Sequence, residues 1–369
     1  MHKLTVFPIG NANSTLIELE NGRTLLLDYA HYPAAETDED PRFNIQTAML
    51  EKFKGKDAGL DVVAFTHADD DHLHGFSELL YLEHADKYQN GERIKVKELW
   101  VPAAIILEAN LPDEAKLLRA EARHRIKEGK GIRIFSKPES LIDWLKEAGT
   151  SLGDRKTFIT SAGEIAPGFN KDQDGVEFFV HSPFSGSCDG TEIERNTAAL
   201  LLHATFTAGA EETRVMLGSD TECEVWDDIV KVTRYYKREE RLNWDVFGIS
   251  HHCSYLALSP DKGENKTSPT ENVAWLLSQG NTRGILISSS DPIPPTNTDQ
   301  PPHRQAAAYY KEVAEKIGGE MVVTMEHPSR KSPEPIIITI DESKATLKKG
   351  PISAAGVIMG RRTPRAGSL

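Results

Sequence analysis

His67-Ala68-Asp69-Asp70-Asp71-His72-Leu73-His74-Gly75 is the stretch from which the rest of this 369-residue chain can be read. An apolar run, Val62-Val63-Ala64-Phe65, precedes it, and Phe76, Leu79, Leu80 and Leu82 follow in a helix-like pattern. Three histidines and three aspartates thus sit at the mouth of a buried strand. That is the composition of a metal site, and of one holding two ions. On a helix, residues two apart do not face each other; on a tight loop after a strand His67, Asp69, Asp71 and His72 can converge. Imidazole mixed with carboxylate suits zinc, iron or manganese, and the carboxylate enrichment tilts the choice toward harder ions such as manganese.

The bulk properties exclude several classes. Hydrophobic residues make up 39% of the chain, enough for a core, and no apolar run approaches the ~20 residues of a membrane helix. Met1-His2-Lys3-Leu4 leads straight into a strand-like segment and lacks the regions of a signal peptide. Three cysteines, Cys188, Cys223 and Cys253, form no close pair. That fits a reducing cytoplasm and argues against a disulfide framework or a thiolate zinc site. The net charge of −13 is unevenly spread. Basic residues gather from Lys116 to Lys137 and again in 343–369, which has no acid. Such faces are usually solvated, but they could also receive a polyanion.

Along the chain, residues 4–9 and 14–19 read as a strand pair, and Asn21-Gly22 as a hairpin signal into Thr24-Leu25-Leu26-Leu27-Asp28. A helix is predicted around 45–53 and a strand over 97–102. The segment 110–148 reads as two helices inserted over or beside the site, the first opened by Pro112. Strands are predicted at 157–160, 177–181, 198–204, 214–217, 246–250, 284–288, 321–324 and 336–340, and helices near 222–236 and 270–279. Strand-rich layers flanked by helices follow.

With these residues in place, the run resembles the His-x-His-x-Asp-His signature of the metallo-β-lactamase fold. Asp69 stands where the second histidine usually stands, a form that resembles the hydrolase domain of the ComEC/Rec2 competence proteins, which are implicated in DNA degradation. His74 departs from that family's usual glycine. Leu25-Leu26-Leu27-Asp28, Phe179-Val180-His181-Ser182-Pro183 with Asn196-Thr197-Ala198-Ala199-Leu200-Leu201, Leu217-Gly218-Ser219-Asp220-Thr221 and Ile249-Ser250-His251-His252-Cys253-Ser254 are similar to the later motifs in order. Cys253 replaces a glycine, and Pro302-His303 resembles a late histidine segment. The cover is roughly residues 3–340.

The resemblance implies a four-layered αββα sandwich, with 1–340 as one domain, 110–148 as its helical insertion and 341–369 as a basic tail. It implies His67, Asp69, Asp71 and His72 as ligands of two divalent ions, Zn2+ or Mn2+, with Asp220 bridging. His251 is taken as the ligand of its pair and His252, with Asp71, as catalytic, although the two histidines could exchange roles. Asp28 would orient a ligand histidine; His74, His181, Asn196 and His303 are possible pocket residues. Two ions about 3.5–4 Å apart would generate hydroxide at neutral pH. The leading reading is a stand-alone phosphodiesterase or nuclease, with nucleic acid or another phosphodiester as partner and no membrane, and with His residues or Ser254 near the phosphoryl oxygens. Two others stay open: hydrolysis of a small ester, lactone or cyclic nucleotide, and a non-enzymatic metal-binding module of a larger defence assembly. Neither a Walker-type phosphate loop nor a Gly-x-Ser-x-Gly elbow occurs.

Overall fold

The computed structural model describes residues 1–37, 39–53, 59–189 and 193–348. The strands in chain order are β1 (His2–Val6), β2 (Thr15–Glu18), β3 (Thr24–Leu27), β4 (Leu60–Ala64), β5 (Val96–Pro102), β6 (Ile132–Phe135), β7 (Ile159–Thr160), β8 (Val176–Ser182), β9 (Leu201–Ala208), β10 (Glu211–Leu217), β11 (Trp244–Ile249), β12 (Gly280–Ser288), β13 (Glu320–Val323), β14 (Ile336–Asp341) and β15 (Lys344–Leu347). Among the described residues they form two sheets, ordered β15-β14-β1-β2-β3-β4-β5-β6-β7 and β13-β12-β11-β10-β9-β8. Each sheet is antiparallel at one end and becomes parallel at the other, from β3 in the first and from β10 in the second.

The layers follow from side-chain alternation. Leu25, Leu27, Val62 and Ala64 point between the sheets and meet Phe178, Val180, Leu202, Val215 and Val246. Leu26 and Val63 point the other way, onto helices. Both faces of β3 and β4 are covered, so these strands read as continuous apolar runs. The helices Ile45–Phe53 and Asp113–Glu128 cover the first sheet, the latter through Ala115, Leu118, Ala122 and Ile126. Cys223–Tyr235, Glu271–Ser278 and Arg304–Lys316 cover the second. The four-layered αββα arrangement implied by the sequence is therefore present.

Two boundaries change. The segment 110–148 is not a purely helical insertion: β6 lies inside it, pairs in parallel with β5 and β7, and weaves the segment into the sheet. Its four residues, Ile132-Arg133-Ile134-Phe135, are all buried, and Arg133 interrupts the apolar run. The first sheet also runs past 340, because β15 pairs antiparallel with β14. The tail's Arg361, Arg362 and Arg365 lie outside the described residues. The basic zone 116–137 faces inward more than its composition implies. Arg119 donates to the Glu108 and Ala109 carbonyls, Arg123 to the Ile106 carbonyl, and buried Arg125 to Glu121. Arg133 pairs with Glu98. No helix among the described residues is long and apolar enough to cross a membrane.

Candidate metal centre

The parallel ends of the two sheets meet at one edge, and four strand ends deliver the site. Asp28 follows β3, the 67–74 run follows β4, Asp220 follows β10, and His251 and His252 follow β11. Strand carboxyl ends are the usual place for sites in parallel sheets. The run is anchored through its backbone: Tyr29 N donates to the His72 carbonyl (3.0 Å) and Asn13 N to the Asp71 carbonyl (3.1 Å). The ends of β10 and β11 come together because Gly218 and Gly248 lack side chains. A Cβ on Gly218 would lie 2.2 Å from the Gly248 carbonyl oxygen.

Asp71, His72, Asp220 and His252 each offer a ligand atom, all within 4.8 Å of one another. His72 Nε2 lies 3.1 Å from Asp220 Oδ1; His252 Nε2 lies 2.9 Å from Asp71 Oδ2 and 3.3 Å from Asp220 Oδ2. Both imidazoles are held from behind. His72 Nδ1 donates to Asp28 Oδ2 (2.7 Å) and His252 Nδ1 to the Ser289 carbonyl (2.7 Å). This fixes ring orientation and aims each Nε2 into the cluster, the support that metal-ligating histidines require. Asp28 is itself pinned by the Thr66 N–H (2.7 Å) and hydroxyl (2.8 Å).

The charges are mutually dependent. Burial alone would push His252 down, but Asp220 and Asp71 outweigh it and hold the imidazole up at about 10. His72 is likewise held well above the usual range against burial, by Asp220, Asp28 and Asp71. Burial would raise Asp220, yet His252 and His72 keep it well below the usual carboxylate range. Two ionised carboxylates that draw protons onto two buried imidazoles to balance their charge make a donor set that a divalent cation fits. Beside them, His67 Nε2 is buried without a well-formed hydrogen bond, with Asp69 Oδ2 3.3 Å away.

The other predicted residues divide. His252, not His251, completes the cluster. His251 Nε2 is 4.0 Å from Asp220 Oδ2, its Nδ1 is 3.6 Å from Glu222 Oε1, and its ring is partly exposed. The reason lies in the backbone: His251, His252 and Cys253 all have positive φ (51°, 49°, 65°), which turns successive side chains off the strand's alternation. Asp69 stands beside the cluster but pairs through Oδ1 with Arg195 Nη1 at 2.6 Å, while its Oδ2 lies 3.3 Å from His67 Nε2.

Asp28 orients His72. His74 stacks on Tyr32 (4.7 Å) and donates to Asp70, outside the cluster. His181 donates to the Arg241 carbonyl and lines a separate pocket with Phe179, Phe184, Tyr235 and Tyr236. Asn196 reaches Glu222 (3.4 Å), His303 accepts from Tyr255 N (3.3 Å), and the Ser254 hydroxyl accepts from Leu256 N (3.3 Å). Sequence reading missed Thr66, Glu108, Arg195, Glu222 and Ser289. Thr66, Arg195 and Glu222 carried a signal, as neighbours of quoted motifs.

No family model matches the sequence, and no curated protein matches it. Among solved structures the chain is similar to Igni18, a metallo hydrolase from Ignicoccus hospitalis, at 14% identity over 91% of this chain and 99% of that one, with a TM-score of 0.37. It is similar to a diphosphatase of the PhnP family at 10% identity, covering 94% and 100%, with a TM-score of 0.35. It is also similar to Zn2+-bound PqqB from Methylobacterium extorquens at 11% identity, covering 88% and 97%, with a TM-score of 0.36.

Proposed function

We propose that this chain is a metal-dependent hydrolase acting on a phosphodiester, in the phosphodiesterase or nuclease class. The observation that carries the reading is the convergence of Asp71, His72, Asp220 and His252 with both imidazoles supported from behind. A divalent cation held there supplies Lewis acidity: it acidifies water and offsets charge on phosphoryl oxygens. The protein's part is to hold and orient. Asp28 and the Ser289 carbonyl lock the imidazoles. His251, outside the cluster and partly exposed, is assigned to the substrate as a proton donor or phosphate contact. The carboxylate-rich donor set favours a harder ion, manganese over zinc. Three free and buried thiols support a reducing, cytoplasmic setting.

One observation favours a second reading, in which the substrate is a small ester, lactone or cyclic nucleotide. The guanidiniums of Arg119, Arg123, Arg125 and Arg133 are engaged with the protein's own carbonyls and carboxylates. That leaves less of a basic face for a polymer on a chain of net charge −13.

The deciding experiment measures the metal content of purified protein, then assays it with Mn2+ or Zn2+ against DNA, RNA, cyclic dinucleotides and a generic phosphodiester. Polymer cleavage supports the nuclease reading, and cleavage of small substrates alone supports the second. Bound metal without any cleavage would overturn both and leave a metal-binding module.

A further inference from the structure

The sequence implied two ions, yet the described residues bring together only one group of three or more donors within ligand range of one another. The two donors left over, His67 and Asp69, are the ones a second ion would need, and Asp69 already has a cation. Arg195 Nη1 sits 2.6 Å from Asp69 Oδ1. This is no loose surface pair, because the rest of the guanidinium is fixed by Glu108: Nε lies 3.0 and 3.1 Å from its two oxygens, and Nη2 lies 2.7 Å from Oε1. Such fork geometry is directional and pre-organised. Glu108 follows directly on the helix Ala103–Leu107, whose packing against the first sheet gives the fork a rigid base. Asp220, the carboxylate that would have to be shared, has Oδ1 on His72 and Oδ2 on His252, both members of the first group.

We infer that the chain binds one divalent cation tightly, at Asp71, His72, Asp220 and His252, and that Arg195, locked by Glu108 onto Asp69, is a fixed cation in the place of a second ion. The inference rests on the proposed metal centre and gives it a stoichiometry. It also assigns Arg195 a positioning role. The guanidinium restrains Asp69, whose other oxygen, Oδ2, lies 3.3 Å from the buried Nε2 of His67. A guanidinium cannot be removed by a chelator, so this half of the site would persist in the metal-free protein.

The test counts ions. Protein is saturated with Mn2+ and, separately, Zn2+, freed of excess metal, and read by elemental analysis and native mass spectrometry, with circular dichroism confirming the fold of each variant. The wild type should hold one ion per chain. Asp69→Asn should still hold one, Asp220→Asn none, and Arg195→Met, which keeps the bulk but not the charge, should take up a second. Two ions in the wild type, with one in Asp69→Asn, would overturn the inference while leaving the metal centre standing. No tightly held ion in the wild type would overturn the metal centre itself, and this inference with it. If Arg195→Met does not fold, the wild-type and Asp69→Asn counts still decide.

Discussion

His72 Nδ1 and Asp28 Oδ2 lie 2.7 Å apart although 44 positions separate them in the chain, and both side chains are buried. β3 and β4 are parallel neighbours, so residues just past their ends fall side by side. Carboxylate behind, imidazole between and ligand position in front form a chain that fixes tautomer and raises ligand basicity. Asp28→Asn keeps the volume but removes the charge. Metal affinity should fall about 10–100-fold, measured by competition with a chromophoric chelator, with the far-ultraviolet spectrum unchanged. Unaltered affinity would remove Asp28 from the site.

Asp71 is the cluster member nearest solvent, with about a third of its side chain exposed. Asp71→Ala should therefore abolish hydrolysis and sharply weaken metal binding while leaving the fold intact. Activity near wild type in a metal-replete assay would sink the assignment. His251→Ala should behave differently: the ion stays bound and turnover falls, because His251 lies outside the cluster.

The left-handed turn over His251, His252 and Cys253 stores strain. An L-residue in that region costs roughly 1–2 kcal/mol, and Cys253, fully buried at φ 65°, has no glycine-like freedom. Cys253→Gly relieves the strain but loses a small buried side chain, so stability should move by no more than about 1 kcal/mol. Cys253→Val places a branched side chain at positive φ and should cost more than about 2 kcal/mol. Urea unfolding of the two variants checks the contrast.

His181 gives the pH prediction. Burial, the largest influence, pushes its imidazole down to about 4, assisted by the Arg241 charge and opposed by the bond to the Arg241 carbonyl. Unfolded, the ring takes a proton near 6.5. A depressed folded value means the unfolded state binds more protons between these limits, so stability is complete above about pH 6.5 and declines as pH falls toward 4. The decline amounts to up to about 3 kcal/mol from this residue. Unfolding free energies at pH 7.5 and 5 should differ accordingly. His181→Gln should flatten the slope in part only, since His203, also buried and held low, adds to it.

These residues show what could be read from sequence and what could not. Asp71, His72 and Asp220, which the structure brings into one cluster, were legible because each stands just past a strongly apolar strand, where local pattern alone fixes position. The order of strands and helices was legible for the same reason. The choice between His251 and His252 was not, because it depends on three consecutive positive φ angles that no residue type there demands. Glu108 and Arg195 meet only through tertiary packing across 87 positions. β6 was missed because a buried arginine interrupts its apolar run. The basic zone misled in the opposite direction: a run of charge says nothing about whether guanidiniums face water or the nearest helix carbonyls.

The donors of the four-residue cluster come half from each sheet, Asp71 and His72 after β4, Asp220 and His252 after β10 and β11. A cation bound among them is therefore a rivet through the seam of the molecule, joining the first third of the chain to its later part at the edge where the sheets' hydrophobic filling ends. Ligand binding of this kind adds its free energy to folding. Neither sheet alone can capture the ion, and the mouth of the sandwich is the place that should fray first when it is withdrawn.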